Sequence, residues 1–225
     1  MNSIADDARL CALLDRLHAR SIDQGTELKR HTTGAGGASV AAGTPSVDDM
    51  LADRPFWKDK LVALDRDKAE FCYRLCRATG ARTIVEAGTS WGVSTLYLAA
   101  AVRDNGGGVV IGTEYEAEKA AMARRHFAEA GLTEQIDLRE GDLRETLKAI
   151  PASIDFLLMD IWAPMVMPVM HAVAPHLRRG AVIVADNTAR AREHYATFFA
   201  YLAEHGYTTQ TLPFDGGLEM AVKLA

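Results

Sequence analysis

The chain has 225 residues, 25 Lys+Arg against 30 Asp+Glu, and a formal net charge of −5. With 48% apolar residues it can fill a core and is too apolar for a disordered chain, and domains of roughly 100–200 residues imply one domain with an extension. The mild acidity gives no footing for a phosphate backbone, no apolar run approaches the ~20 residues of a membrane span, and Met1–Asp7 has neither a basic nor an apolar leader segment; the expectation is therefore a cytoplasmic protein that binds neither nucleic acid nor membrane.

Ser3 and Asp6 fit a capping box, and Ile4, Ala8, Cys11, Leu14 and Leu17 form an apolar stripe, which predicts a helix over 3–31. Residues 32–39 carry no packing side chains and read as a flexible stretch, followed by a segment rich in Pro and Asp, 44–55. Residues 1–55 are thus expected to be a helical extension and linker, serving as a lid, a substrate element or a homodimer element. Residues 56–225 are the expected catalytic domain. A second helix is predicted over 56–79, ended by Gly80. Within it Cys72 and Cys76 stand four apart, a spacing that is neither a redox pair nor a zinc pattern, so they read as reduced thiols. Phe56-Trp57-Lys58 reads either as helix packing or as an aromatic wall for a planar substrate.

Beyond Gly80 the punctuation is regular. Strands are expected over 83–87, 109–113, 135–139, 154–159 and 181–185, and helices over 93–102, 116–130, 143–150, 166–177 and 190–205. The segments 207–212 and 218–224, joined by a Pro-Gly-containing turn, predict an antiparallel hairpin. Alternating strands and helices give right-handed crossovers and a mostly parallel sheet, so ligands belong at the carboxyl ends of the strands.

At those ends stand the chemically telling residues. After the first strand, Gly88 and Gly92 let the backbone turn sharply ahead of a helix N-terminus, which suits a nucleotide-like ligand or a plain strand–helix turn. Glu114 follows the second strand and either accepts from a ribose diol or favours the next helix N-terminus. Asp142, in Glu140-Gly141-Asp142, either accepts from an adenine amino group or caps a helix. Asp160 follows the fourth strand and Asp186-Asn187 the fifth. These three make an all-oxygen set suited to Mg²⁺, or cap the following helices.

The run Glu86-Ala87-Gly88-Thr89-Ser90-Trp91-Gly92-Val93-Ser94 resembles the first motif (E-x-G-x-x-x-G-x-S) of the cation-dependent, catechol-type O-methyltransferases, class I enzymes that use S-adenosylmethionine. The resemblance covers roughly 65–225. It implies a Rossmann-like α/β fold with a seven-stranded, mostly parallel sheet. It implies cofactor binding by Glu86, Gly88, Thr89, Ser90, Trp91, Gly92, Ser94, Glu114, Tyr115, Gly141, Asp142, Asp160 and Trp162. Mg²⁺ or another divalent cation would be held by Asp160, Asp186 and Asn187, and would acidify a substrate hydroxyl. Asp160 and Glu219 would be catalytic, Glu219 by bonding a hydroxyl of a small aromatic substrate. The pattern departs at Ala163, where the family has a lysine base. Metal activation alone, a base from Lys58, Lys60, His171 or His194, or a lost activity each accommodate that change. A nicotinamide-dependent oxidoreductase is the other reading of such a sheet, but its G-x-G-x-x-G turn is absent.

Overall fold

The computed structural model describes residues 4–33, 46–151, 153–190 and 192–224. The expected flexible stretch, apart from the end of the first helix, and the Ser3 half of the expected capping box lie outside the described residues.

Helix α1 spans Ala8–Thr33. Its amide at Leu10 donates to Asp7 Oδ1 at 3.0 Å, so Asp7 caps it. Its inward stripe, Leu10, Leu13, Leu14 and Leu17, is buried in the same core as the sheet. The Pro- and Asp-bearing segment is itself helical: α2 covers Val47–Trp57 behind a Ser46–Asp49 capping box. The expected helix over 56–79 is divided, because α2 ends at Trp57 and α3 begins at Arg66, ending at Thr79 with Gly80 left-handed at φ +64°. The expected boundary at 55/56 falls inside α2.

The strands and helices beyond are β1 (Thr83–Ala87), α4 (Val93–Asp104), β2 (Val109–Glu114), α5 (Ala117–Ala130), β3 (Ile136–Glu140), α6 (Leu143–Thr146), β4 (Ile154–Met159), α7 (Val166–Val173), β5 (Leu177–Asp186), α8 (Ala196–Glu204), β6 (Tyr207–Leu212) and β7 (Leu218–Lys223). The predicted helices 143–150, 166–177 and 190–205 are shorter than expected. Pro175 sits in a 3₁₀ turn that breaks α7 from β5, and a second 3₁₀ turn over Arg192–Tyr195 precedes α8.

The seven strands lie in the order β3-β2-β1-β4-β5-β7-β6; the first five are parallel and β7 runs antiparallel to both β5 and β6. The connection reverses direction between β1 and β4, the place where an open α/β sheet leaves a crevice. Two cores follow from the pleat. Ile84, Val110, Phe156, Leu158, Val182 and Val184 face α1, α3, α4 and α5. Val85, Ile111, Leu157, Met159, Ile183 and Ala185 face α7 and α8. This period of two decides which face each strand-end side chain joins. No helix among the described residues is long and apolar enough to cross a membrane.

Candidate active site

Parity along the strands sorts the acidic residues. Glu86 shares its face with Ile84, Asp160 extends the side of Phe156 and Leu158, and Asp186 continues Val182 and Val184, so all three carboxylates gather on the α3 face. Glu219 pairs with Ala185, whereas Asp186 pairs with Leu218. Glu219 therefore lies on the opposite face from Asp186. Its carboxylate accepts from Thr209 and Thr211 of β6 and is 2% exposed. The substrate-bonding role expected of Glu219 finds no opening there: its oxygens are spent across the β6–β7 ladder.

The turn after β1 is built on Glu86. This carboxylate is fully buried and accepts from Thr89 Oγ1 at 3.0 Å and from Thr95 Oγ1, while its second oxygen has no partner among the described residues. Burial pushes its pKa up, against those hydroxyl donors. Thr113 stitches the same turn from β2, its carbonyl accepting from Thr89 N–H at 2.9 Å. Gly88 has φ +94°, and a Cβ there would lie 2.2 Å from the Asp160 carbonyl oxygen. The glycine is required because β1 and the end of β4 touch at that point, where Asp160 N–H donates to Ala87 O at 3.1 Å. Ser90 is also left-handed, at φ 50°, and its hydroxyl is buried without a partner among the described residues. A strained residue carrying an unspent hydroxyl is a mark of a ligand-facing position.

A cavity of about 480 Å³ opens above these turns, within the usual span of small-molecule sites. Of the expected cofactor residues, Gly88, Ser90, Glu114, Tyr115, Gly141, Asp142, Asp160 and Trp162 line it, together with Asn187. Glu114 accepts from Ser90 N–H at 2.7 Å and Glu116 N–H at 2.8 Å, which fixes its carboxylate while leaving lone pairs free; burial raises its pKa. Asp142 caps α6 through Arg144 N–H at 2.9 Å, and the Arg144 side chain holds its pKa below the usual carboxylate range. Asp142 thus caps α6 and also lines the cavity.

Glu86, Thr89, Gly92 and Ser94 do not line the cavity; they belong to the turn and the helix start behind it. Trp91 turns away from it: its ring lies under the Arg20 guanidinium at 4.3 Å and its carbonyl meets His126 Nδ1 at 2.8 Å. The opposite rim comes from α2, whose place here only the folded chain reveals. Met50, Leu51, Arg54 and Trp57 line the cavity, and Trp57 meets Trp162 edge to face at 5.7 Å. Arg54 fastens α2 to the sheet side, bonded to Glu116 and placed over the Tyr115 ring at 4.5 Å.

The Asp160–Asp186–Asn187 set is arranged unlike a cation cage. Lys68 Nζ, 2% exposed on α3, donates to Asp186 Oδ1 at 2.8 Å and pairs with Asp65 Oδ2 at 3.0 Å. Asn187 Nδ2 donates to Asp186 Oδ2 at 2.9 Å, so both Asp186 oxygens are engaged. The Asn187 amide oxygen faces the β6–β7 turn, where a Cβ on Gly216 would lie 2.8 Å from it. Among the described residues no group of three or more His, Cys, Asp or Glu is placed to hold a metal. As placed, these donors do not fit a divalent ion. Burial and the neighbouring Asp186 and Glu86 charges push the Asp160 carboxyl well above its ordinary range. Burial alone would lower the Lys68 pKa, yet Asp186 and Asp65 outweigh it and the ammonium is favoured.

Lys68 lies outside the strand ends to which the sequence points, yet its position in the chain carries a signal. Lys68, Cys72 and Cys76 recur at i, i+4 and i+8, so the lysine sits on the buried stripe of α3. Of the groups weighed as a replacement base, only Lys58 lines the cavity; Lys60 pairs with Glu27 and Asp59, His171 packs beside Tyr201, and His194 neighbours Glu193. Tyr195 also lines the cavity and donates to the Asp186 carbonyl at 3.1 Å.

Residues 85–188 match the family model of a methyltransferase domain. The chain is 29% identical over 133 residues to the catechol O-methyltransferase of Niastella koreensis, covering 57% of this chain and 59% of that protein. It is also 29% identical over 130 residues to the catechol O-methyltransferase of Mycobacterium tuberculosis, covering 57% of this chain and 58% of that protein. The matched stretch spans less than two thirds of either relative. Among solved structures, the O-methyltransferase from Bacillus cereus in complex with S-adenosylhomocysteine superposes with a TM-score of 0.66 at 21% identity, covering 83% of this chain and 94% of that one. TomG of Streptomyces achromogenes, an O-methyltransferase of tomaymycin synthesis bound to S-adenosylmethionine, gives a TM-score of 0.66 at 21% identity over 84% and 94% of the two chains. At that identity the superpositions speak for the fold alone, that of the S-adenosylmethionine-dependent O-methyltransferases, while the sequence matches liken residues 85–188 to a methyltransferase domain and a little over half of the chain to catechol O-methyltransferases.

Proposed function

We propose that the chain is an S-adenosylmethionine-dependent O-methyltransferase acting on a hydroxyl of a small, aromatic, catechol-like molecule. The observation that carries this reading is a single cavity at the carboxyl ends of β1, β2, β4 and β5, with a cofactor-type half and an aromatic half. On the first side, Gly88 permits close backbone approach, the Ser90 hydroxyl awaits a polar partner, Glu114 offers lone pairs to a diol, and Asp142 and Tyr115 flank the position for a base. When bound, the cofactor would supply an electrophilic methyl on a positively charged sulfur.

On the second side, Trp57 and Trp162 suit the faces and edges of an aryl ring, and Met50, Leu51 and Val62 add apolar surface beside them. Lys58 Nζ is the candidate to take the hydroxyl proton. No divalent cation enters this reading, because the Asp186 oxygens are already engaged. The catechol O-methyltransferases among the relatives support the substrate class.

The test is a mass-spectrometric screen of hydroxylated aromatics with S-adenosylmethionine, alongside thermal denaturation with S-adenosylhomocysteine. Transfer of one methyl group to a catechol, with a melting shift from the product cofactor, is the expected outcome. A melting shift without turnover would favour the second reading, prompted by Ala163, of a cofactor-binding protein without catalysis. No shift at millimolar ligand would refute both.

A further inference from the structure

The most unusual group in the molecule outside the cofactor turns is a lysine buried beneath the carboxylates. Lys68 Nζ is 2% exposed, 2.8 Å from Asp186 Oδ1 and 3.0 Å from Asp65 Oδ2. An ammonium is removed from water only where paired charges and hydrogen bonds compensate, so this contact is a built feature and not a passing surface pair. It joins α3 to the end of β5, across 118 positions of sequence.

We propose that the Lys68 ammonium is the resident cation of this carboxylate site, taking the place that a divalent ion would otherwise occupy, and that Lys68 is a positioning residue for Asp186 and Asn187. Three observations carry the inference. First, Asp186 accepts from Lys68 on one oxygen and from the Asn187 amide on the other, so binding a metal would require breaking two hydrogen bonds. Second, the Asn187 amide nitrogen points at Asp186; reversing the amide to present its oxygen would set two acceptors against each other while Lys68 stays in place. Third, a divalent ion beside Asp186 would stand within a few ångströms of an ammonium, and like charges in a partly desolvated site repel strongly. The Asn187 backbone is itself left-handed at φ 61°, a region that asparagine enters more readily than most residues. The consequence is a site whose positive charge is covalently part of the chain. The metal-binding arm rests on this geometry alone, and only the turnover arm rests on the methyltransferase reading.

The test is a Mn²⁺ titration of the full chain followed by electron paramagnetic resonance of the free ion. Wild type is expected to leave the Mn²⁺ signal undiminished into the millimolar range. Lys68→Met, which keeps the length of the stem but removes the charge, is expected to sequester Mn²⁺ at least about tenfold more tightly, the size of effect that a neighbour of a metal site commonly exerts. Lys68→Arg retains the charge and is expected to stay silent. If Lys68→Met does not fold, the wild-type titration still decides. Stoichiometric Mn²⁺ binding by wild type that disappears in Asp186→Asn would overturn the proposal. Any turnover found with wild type is expected to survive EDTA; turnover abolished by EDTA and restored by Mg²⁺ would overturn it as well. A missing melting shift with S-adenosylhomocysteine would instead strike at the methyltransferase reading and leave the Mn²⁺ result standing.

Discussion

Gly88→Ala separates the geometry of the turn after β1 from glycine's ordinary flexibility. At φ +94° an alanine is strained, and its Cβ would lie 2.2 Å from the Asp160 carbonyl oxygen and 2.8 Å from Ile161 Cγ2. Left-handed strain costs about 1–2 kcal/mol and overpacking against backbone about 1–3 kcal/mol, giving roughly 2–5 kcal/mol together. In a chain of 225 residues, each kcal/mol moves the melting temperature by about 2–4 °C, so the variant should melt roughly 4–20 °C lower. Gly80→Ala is the matched control: φ is +64°, yet nothing lies within 4 Å of its Cβ. It should show only the strain, a fall of roughly 2–8 °C. The assay is differential scanning calorimetry with and without S-adenosylhomocysteine. At a hundred times its Kd the ligand should stabilise wild type and Gly80→Ala by about 2.7 kcal/mol and leave Gly88→Ala nearly unmoved, since β1 and the end of β4 must part to admit the methyl group. A Gly88→Ala protein that melts no lower than Gly80→Ala and keeps its full ligand shift would refute the argument that close approach of the two strand ends, and not conformational freedom alone, demands glycine.

Two further outcomes are expected. Glu219→Gln should leave KM and kcat for a methyl acceptor within about twofold and lower stability by about 1–2 kcal/mol, because its carboxylate bonds Thr209 and Thr211 on the far face of the sheet; a tenfold rise in KM would return Glu219 to the substrate. Burial raises the Glu86 pKa above its ordinary 4.5, so the folded chain holds this proton more tightly than the unfolded one. Its contribution to stability should therefore fall as pH rises from 4.5 towards the raised folded value, and the decline should shrink in Glu86→Gln. Denaturant midpoints measured between pH 4.5 and 7.5 check this, and an identical slope in both proteins would contradict it.

The sequence by itself determined the parallel sheet and its closing hairpin, because apolar runs bounded by glycine, and helical periods between them, are local signals. It placed the β1 turn as well: Gly88 and Gly92 mark a sharp strand–helix connection, and Gly88, Ser90, Glu114 and Asp142 meet in one cavity as the strand-end rule requires. It did not reveal that 47–57 is helical, because Pro55 and the acidic residues masked a capping box whose partner, the rim of the sheet, is remote in sequence. Tertiary structure alone decided the rest. Glu219 and Asp186 look alike as strand-end carboxylates, but antiparallel pairing of Glu219 with Ala185 puts them on opposite faces, a parity that no local pattern encodes. Lys68 appeared as one charged residue on a helix until folding carried α3 against the end of β5. Pairing across 118 positions is a property of how the layers stack, and it sets the Lys68 ammonium against a carboxylate that the sequence offers as a metal ligand.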